Sequence, residues 1–166
     1  MGFARPRFAA TILTPAYHIT GYLEPIGPWL DWLNARDKIT LPVQGARFQP
    51  LGGAPAAASP AERAVIHLSR ADVGVIHLPE RAAAESVHML RNVQAAILHI
   101  GPVICRGELH LGVDATLATF MDDLPGAFFP VTGAQLFSTA ALPVPLPRQA
   151  ELILVNRAQV QLYYAA

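Results

Sequence analysis

The stretch ILTPAYHITGYL, from Ile12 to Leu23, is followed later in the chain by LHIGPVICRGEL, from Leu98 to Leu109. When the two stretches are aligned, Gly21 falls over Gly107, and each glycine is followed by one residue and then a leucine. Similar segments at a fixed spacing are the sequence signature of a repeated structural unit. This pair of segments therefore predicts an internal duplication.

Two further pairs of segments extend the duplication along the chain. LPVQGA (residues 41–46) matches FPVTGA (129–134), and SRADV (69–73) matches NRAQV (156–160). All three pairs keep the same order, and their members lie about 86 to 88 residues apart. Agreement in both order and spacing is hard to obtain by chance, so we expect two tandem copies of one unit.

The copies have predictable boundaries. We expect a first β repeat over residues 1–79, a linker over 80–91 and a second β repeat over 92–166. The linker contains ERAAAES, whose composition favours one or two helical turns. Each copy also carries an apolar, proline-rich segment, Gly52–Ala61 or Thr139–Gln149, which we expect to be an extended surface loop.

Within each copy the hydrophobic pattern is mostly that of short strands. Strands are predicted in the first copy at Phe8–Thr14, Tyr17–Glu24, Ile39–Gln49, Ala64–Ser69 and Val73–Leu78. Counterparts of the last three are predicted at Ala127–Ser138, Glu151–Val155 and Val160–Tyr164. We therefore expect a mainly β protein built from two tandem copies of a small five-stranded β-barrel or sandwich unit, each with one short helix between strands two and three. The pattern leaves open whether the copies form two barrels or one intertwined sheet.

The helix predicted in each copy follows the second strand. In the first copy Pro28 suits the first helical turn, and an apolar stripe follows at Trp29, Leu30, Trp32 and Leu33. In the second copy Asp114 is the expected N-cap, Pro125-Gly126 the expected end, and the stripe consists of Leu117, Phe120, Met121 and Leu124.

Composition narrows the class of protein. Hydrophobic residues make up 52% of the 166 residues and charged residues only 14%, so the chain can bury a sizeable core and still expose apolar surface. The net charge is zero, which disfavours a nucleic acid as the main partner. Lys38 is the only lysine among 12 basic residues. This preference for arginine over lysine favours a bacterial protein from a GC-rich genome. The alternative explanation is that the arginines were selected for their bidentate contacts.

Cys105 is the only cysteine, which excludes an intrachain disulfide and fits a cytoplasmic protein. The apolar stretch after Arg5 and Arg7 is interrupted by Pro15 and His18, so no signal peptide is expected. No apolar run approaches the roughly 18 residues of a membrane span, and we expect none.

Catalytic and metal-binding patterns are weak. The six histidines form no HxH or HxxxH pair, and no cysteine lies at ligand spacing. His67 and His77, on either side of the turn at Arg70, are the best pair of ligands, but half-exposed strand histidines are commoner, so we expect no metal and no cofactor. Cys105 directly precedes Arg106, whose positive charge is compatible with a lowered pKa of the thiol. The favoured interpretation is a packed structural cysteine. No nucleophile elbow or phosphate-binding glycine loop is present, so no catalytic residue is expected.

The strand plan and two motifs resemble the Sm-like small β-barrels. That family's first motif ends its second strand in Gly-x-Leu and continues with an Asp-x-x-apolar-Asn signature. Here GYL at residues 21–23 is followed by Asp31 and Asn34, one residue closer together than in the family. The second copy lacks this pair, having Ala118 and Met121 near the equivalent positions.

The family's second motif is an apolar strand, Arg-Gly and another apolar strand. Here Arg70 and Arg157 occupy the arginine position, each followed by alanine instead of glycine. The resemblance implies assembly through edge strands and a nucleotide pocket near Asp31, Asn34 and Arg70, with Arg157 at the matching turn. In the structural alternative Asp31 and Asn34 close a helix and its following turn, and the two arginines brace carboxylates or carbonyls.

These observations lead to one principal hypothesis and two alternatives. The principal hypothesis is a non-catalytic scaffolding module that binds a further copy of itself, as a ring or filament, or another protein. The alternatives are a module that binds nucleic acid or a nucleotide, and a small enzyme. An aromatic surface is expected to form the interface, from Trp29, Trp32, Tyr163 and Tyr164.

Overall fold

The computed structural model describes residues 4–52, 59–124 and 127–166, and these residues form ten strands and three short helices. The strands of the first copy are β1 (Phe8–Leu13), β2 (Tyr17–Leu23), β3 (Thr40–Pro50), β4 (Ala61–Ser69) and β5 (Val75–His77). Those of the second copy are β6 (Asn92–Ile100), β7 (Val103–Leu111), β8 (Phe128–Ser138), β9 (Gln149–Asn156) and β10 (Val160–Ala165). The helices are α1 (Trp29–Asn34), α2 (Arg81–Ser86) and α3 (Leu117–Asp123), and one turn of 3₁₀ helix precedes β5 (Arg70–Asp72) and β10 (Arg157–Gln159).

The described strands form one antiparallel sheet in the order β10-β6-β7-β8-β9-β5-β1-β2-β3-β4. The expectation of a mainly β protein is confirmed, and each copy contributes five adjacent strands in the same internal order. The strands do not close into two barrels, because β5 of the first copy pairs with β9 of the second and joins the copies into a continuous open sheet. Strands β4 and β10 form its two edges.

The two copies interrupt their strands at the same place. The register of β2 with β3 shifts beside Gly21, and that of β7 with β8 shifts beside Gly107. On the partner strands Gly45 and Gly133 have φ of 53° and 56°, a left-handed conformation that glycine adopts without steric cost. Each copy therefore contains the same glycine-based bulge, which bends the strand pair.

The aligned glycines Gly21 and Gly107 lie under these bulges, where the neighbouring strand passes close by. A Cβ at Gly21 would lie 2.5 Å from a methyl carbon of Val43, and one at Gly107 would lie 2.5 Å from a methyl carbon of Val131. No real side chain tolerates such a distance without displacing its neighbour. The glycine that revealed the repeat is thus required by close strand packing in both copies.

The helices follow the predicted positions, with one correction. Helix α1 begins directly after Pro28, and α2 coincides with the linker segment that favoured helical turns. Helix α3 is capped by Thr116 instead of Asp114, because Thr116 and Thr119 exchange side-chain to backbone hydrogen bonds in a capping box. Asp114 itself has a φ of 60°. None of these described helices has the length and apolar character needed to cross a membrane.

Two predicted features lie partly or wholly outside the described residues. The expected helix end at Pro125-Gly126 falls there, as does most of the expected loop Gly52–Ala61, whose last residue begins β4. The corresponding loop of the second copy, between β8 and β9, has no regular secondary structure, as predicted.

The sheet separates two hydrophobic cores, one for each copy, and β9 contributes to both. Leu152 and Leu154 point into the core of the first copy, whereas Ile153 and Val155 point into the core of the second. Conversely, Val75 on β5 packs into the second copy's core. Side chains from each copy therefore complete the core of the other, which explains why the copies are joined.

Trp29 and Trp32 lie in the first copy's core, where they are 2% and 8% exposed. Their rings meet edge to face, and Phe8 packs against Trp29. The expectation that they form an exposed aromatic surface is wrong for this chain, because both rings pack into the first copy's core.

Candidate functional site

The junction between the copies is built first from backbone pairing. Strand β5 pairs with β9 in a register that places Val75 opposite Val155, Ile76 opposite Leu154 and His77 opposite Ile153. Beyond this short ladder, the backbone N–H of Asn156 donates to the carbonyl oxygen of Gly74 at 2.9 Å. The junction thus joins the last strand of one copy to the fourth strand of the other.

Polar side chains fasten the same junction. Asn156 is 1% exposed, and its Nδ2 donates to the carbonyl oxygen of Ala71 at 3.2 Å. Its Oδ1 accepts from the backbone N–H of Ala158 at 3.1 Å. Gln159 donates from Nε2 to the same carbonyl of Ala71 at 2.7 Å. Both side chains belong to the second copy, so they link the second copy's 3₁₀ turn to that of the first.

Asn34, a predicted binding residue, forms another link between the copies. Its Nδ2 donates to the carbonyl oxygen of Phe128 at 3.0 Å, and its Oδ1 accepts from the N–H of Phe128 at 2.8 Å. The side-chain amide therefore pairs with the start of β8 as a second strand would. Both polar atoms of this side chain are engaged in contacts between α1 and the second copy.

Arg70 and Arg157 occupy equivalent places at the ends of helices α1 and α3. Arg70 donates from Nη1 to the carbonyl oxygens of Leu33 and Ala35, at 2.8 and 3.0 Å. Arg157 donates from Nε to the carbonyl oxygen of Met121. Helix C-termini leave carbonyls without intrahelical partners, and basic side chains satisfy them. The geometry corresponds to the structural alternative in which both arginines brace carbonyls.

A cleft of about 470 Å³ lies between α1 of the first copy and α3 and β8 of the second. Two of the four predicted binding residues, Asp31 and Asn34, line this cleft, whereas Arg70 and Arg157 do not. The remaining lining is mostly apolar and includes Leu30, Phe120, Phe129 and Pro130, together with the imidazoles of His88 and His110.

His110 holds one wall of the cleft in place. Its Nδ1 lies 2.9 Å from the carbonyl oxygen of Leu90, and its Nε2 lies 2.7 Å from the hydroxyl oxygen of Thr132. A neutral ring that carries its proton on Nδ1 satisfies both contacts, since Nδ1–H donates to the carbonyl and the Thr132 hydroxyl donates to Nε2. The ring thereby joins the linker to strands β7 and β8.

Strand β10, at one edge of the sheet, exposes apolar side chains. Leu162 and Tyr164 are 49% and 48% exposed, and the imidazole of His99 lies beside the Tyr164 ring with centroids 5.9 Å apart. Tyr163 points the other way and is half-buried against the second copy's core. Of the predicted interface residues, Tyr164 is therefore the exposed one.

Strand β4, at the other edge, occupies the place in the first copy that β9 occupies in the second. The repeat alignment equates Val65 with Leu152 and His67 with Leu154. Val65 and His67 are exposed, whereas both leucines are fully buried in the other copy's core. The outward face of β4 is thus the uncovered equivalent of a buried face.

The titratable groups provide no activated nucleophile in the described chain. Burial raises the pKa of the Cys105 thiol to about 12, which confirms the interpretation as a packed structural cysteine. Burial lowers the pKa of His18, with a backbone hydrogen bond in partial opposition, and burial also lowers the pKa of His77.

The best predicted pair of metal ligands is not brought together by the sheet. His67 lies on β4 and His77 on β5, and strands β1, β2 and β3 separate them in the strand order. Across residues 4–52, 59–124 and 127–166, no group of three or more His, Cys, Asp or Glu side chains is arranged to hold a metal ion.

Comparisons with protein-family models, with curated proteins and with solved structures found no match to this chain. The resemblance to Sm-like barrels accordingly rests on the two short motifs alone. The function is therefore inferred from the geometry of the chain itself, above all from its junction, its two open edges and its cleft.

Several residues of these sites are not apparent from sequence patterns. Phe129 begins the recognised segment FPVTGA and Phe128 directly precedes it, but the position of this segment near α1 depends on a contact that spans 94 residues. His88 lies in the linker, where no periodicity predicts its partners. Asn156 could have been noticed, since a polar side chain directly after the apolar run LILV is unusual inside a buried strand.

Proposed function

We propose that this chain is a non-catalytic structural module that associates with further copies of itself through its two open strands, β4 and β10. One observation carries the proposal: the chain already contains this contact once. The β5–β9 junction joins the fifth strand of one copy to the fourth strand of the other. The unused fourth and fifth strands of the two copies, β4 and β10, are the edges of the sheet.

The internal junction supplies the expected register of a contact between chains. In the repeat alignment β10 residues 162–164 replace β5 residues 75–77, and β4 residues 66–68 replace β9 residues 153–155. Leu162 of one chain should therefore lie opposite Leu68 of the next, Tyr163 opposite His67, and Tyr164 opposite Ile66. In this register the exposed Leu162 takes the place of Val75, which is buried within the chain.

The distribution of charge along the edges supports this register. Charged side chains protect edge strands from pairing, and on β4 they are confined to Glu62 and Arg63 at its beginning. The half of β4 that would pair reads VIHL at residues 65–68. Strand β10, VQLYYA, contains no charged residue. The unprotected parts of the two edges are thus the parts that the junction geometry brings together.

The contact between chains should be weaker than the junction within the chain. Ser69 and Asp72 stand where the junction has Asn156 and Gln159. A carboxylate cannot donate to the carbonyl that Gln159 contacts, and serine has a shorter reach than asparagine. Gln161 also aligns with Gly74, which lies at a point of close packing. A Cβ added to Gly74 would lie only 3.2 Å from a side-chain carbon of Ile100. We expect association that is reversible and dependent on concentration.

This contact is heterologous, since it uses different surfaces on the two partners. Repeated head-to-tail contacts of this kind generate a ring when the rotation closes and a filament when it does not. The proposal is therefore an end-to-end assembly in which every chain adds ten strands to a growing sheet. A scaffold is the biological role that such an assembly supports.

Light scattering coupled to size-exclusion chromatography tests the proposal. The native chain should show a mass above that of one 17.8 kDa chain, rising with loading concentration. Leu162→Lys and Tyr164→Lys place charges on the β10 edge and should reduce the mass to that of the monomer. Val113→Lys, at an 89% exposed position on the loop after β7, is the matched control and should leave assembly intact. A native chain that stays monomeric at tens of micromolar would refute self-association.

A further inference from the structure

The cleft between α1, α3 and β8 has no part in the proposed assembly, since its lining includes no residue of β4 or β10. We infer that it binds a small, flat, largely apolar molecule that carries a positively charged group, that is, an aromatic amine. Its volume, its lining and the distribution of charge at its mouth support this inference.

The apolar part of the cleft provides a surface for an aromatic ring. Phe120 is partly exposed and packs edge to face against the buried Phe129, with ring centroids 5.6 Å apart. Leu30, Leu90 and Leu124 also line the cleft and are at least partly exposed. A volume of about 470 Å³ falls within the range of sites for small organic ligands, which are mostly lined by such side chains.

The polar part of the cleft selects the charge of the ligand. Asp31 is its only carboxylate, and no lysine or arginine occurs among the described residues that line it. Apart from the imidazoles of His88 and His110, this carboxylate is the one ionisable group among the described lining residues, and a carboxylate attracts a cation and repels an anion. The lining therefore disfavours nucleotides and other phosphate-bearing molecules, in contrast to the nucleotide pocket that the Sm-like resemblance implied.

Hydrogen bonds between distant segments hold the walls of the cleft in position. The two bonds between Asn34 and Phe128 fix α1 against β8, and the bonds of His110 to Leu90 and Thr132 fix the linker against the sheet. A site that is shaped before the ligand arrives avoids the entropy cost of ordering its walls. These bonds explain why a cleft persists between two copies that otherwise pack closely.

Three probes with the same ring and different charges test the inference: naphthylethylamine, naphthylethanol and naphthylacetate. Saturation-transfer NMR detects binding, and titrations followed by amide chemical shifts give the Kd and locate the binding site. The amine should bind most tightly and the acetate least, with the shifts centred on Phe129 and Asp31. Asp31→Asn should raise the Kd of the amine about fivefold, the equivalent of ~1 kcal/mol for an exposed ion pair, and leave that of the alcohol unchanged.

Asp37→Asn is the matched control, because it removes the same charge from an exposed position just after α1 that does not line the cleft. It should leave the Kd of the amine unchanged, whereas Phe120→Ala should weaken binding of all three probes. Absence of binding by every probe, or an equal effect of Asp31→Asn and Asp37→Asn on the amine, would overturn the inference. The titrations should give the same result in the Leu162→Lys chain, which separates this site from self-association.

Discussion

Strands β9 and β4 occupy the same position in the two copies, yet one is the most buried strand of the molecule and the other is an edge. The run LILV at residues 152–155 is covered on both faces, because Leu152 and Leu154 pack into the first copy's core and Ile153 and Val155 pack into the second's. The equivalent run VIHL at 65–68 has its outer face in solvent. A duplicated unit can thus keep its backbone while its strands adapt to different neighbours.

The fifth strands show the same difference. Strand β5 reads VIH and buries Val75 and Ile76, whereas β10 reads VQLYYA and exposes Leu162 and Tyr164. Edge strands that do not pair with another chain usually carry protective features such as charged side chains or β-bulges. Strand β10 has no charged side chain. This difference underlies the proposal that the edges make reversible contacts between chains, whereas the junction is part of the chain's own fold.

The largest expected effect comes from truncating equivalent side chains on β9 and β4. Leu154→Ala should lower the free energy of unfolding by about 3 kcal/mol, because it leaves a cavity in the first copy's core. His67→Ala, its equivalent, should change that free energy by less than about 0.5 kcal/mol in the monomer, since the side chain is exposed. Urea denaturation of both variants provides the measurement. Equal losses would show that β4 is covered within the chain.

The glycines under the two bulges should respond alike, because this part of the unit is the same in both copies. Gly107→Ala should cost about 2 kcal/mol through overpacking against Val131. Gly21→Ala should cost somewhat more, since its added Cβ would also lie 2.8 Å from the carbonyl oxygen of Gln44. Thermal unfolding of the two variants measures both costs, and tolerance at either position would contradict the equivalence.

The side chains that fasten the junction provide a smaller contrast. Asn156→Ala should lower the free energy of unfolding by about 1.5 kcal/mol, because the buried side chain would no longer donate to the carbonyl oxygen of Ala71 or accept from the N–H of Ala158. Ser69→Ala, the equivalent change at the β4 edge, should be nearly neutral, since Ser69 is exposed. Chemical denaturation compares the pair, and a large cost at Ser69 would mean that the two positions do not differ as described.

The smallest expected effect is a dependence of stability on pH that arises from His77 at the junction and His18 on β2. Burial lowers both pKa values in the folded chain from 6.5, so the unfolded chain binds protons at higher pH than the folded chain. The stabilising contribution is present above pH 6.5 and is lost as the pH falls through the lowered values.

Urea denaturation at several pH values from neutral to mildly acidic measures this dependence. Replacing His18 and His77 together with glutamine should flatten it, whereas His67→Gln, at an exposed position, should not. An unchanged slope in the double variant would assign the pH dependence to other groups.

Much of the unit follows from local sequence signals. The glycine pattern, the strand periods and the stripe of α1 predict the repeat, most strands and the position of the helix, because they reflect packing within one copy. The helix start at Thr116 was missed, since Asp114 two residues earlier has an equally suitable side chain for a cap.

What joins the copies could not be predicted in the same way. Any fourth strand can pair with any fifth strand, so periodicity does not distinguish one open sheet from two barrels. The aromatic interface was assigned wrongly to Trp29 and Trp32 because an apolar stripe has the same spacing whether it faces a core or a partner. The cleft depends on Asn34 and Phe128, which meet across 94 residues. Such long-range contacts leave no trace in a single sequence.

Disulfide formation between two single-cysteine chains tests the edge contact most directly. A mixture of Leu68→Cys and Leu162→Cys chains should form a covalent heterodimer under mild oxidation, because these positions lie opposite each other in the expected register. Cys105 is fully buried and should not interfere. Neither chain alone should cross-link, and Leu68→Cys mixed with Tyr164→Cys, two residues out of register, should cross-link far less. Failure of the in-register pair, or equal cross-linking by the shifted pair, would contradict assembly through β4 and β10.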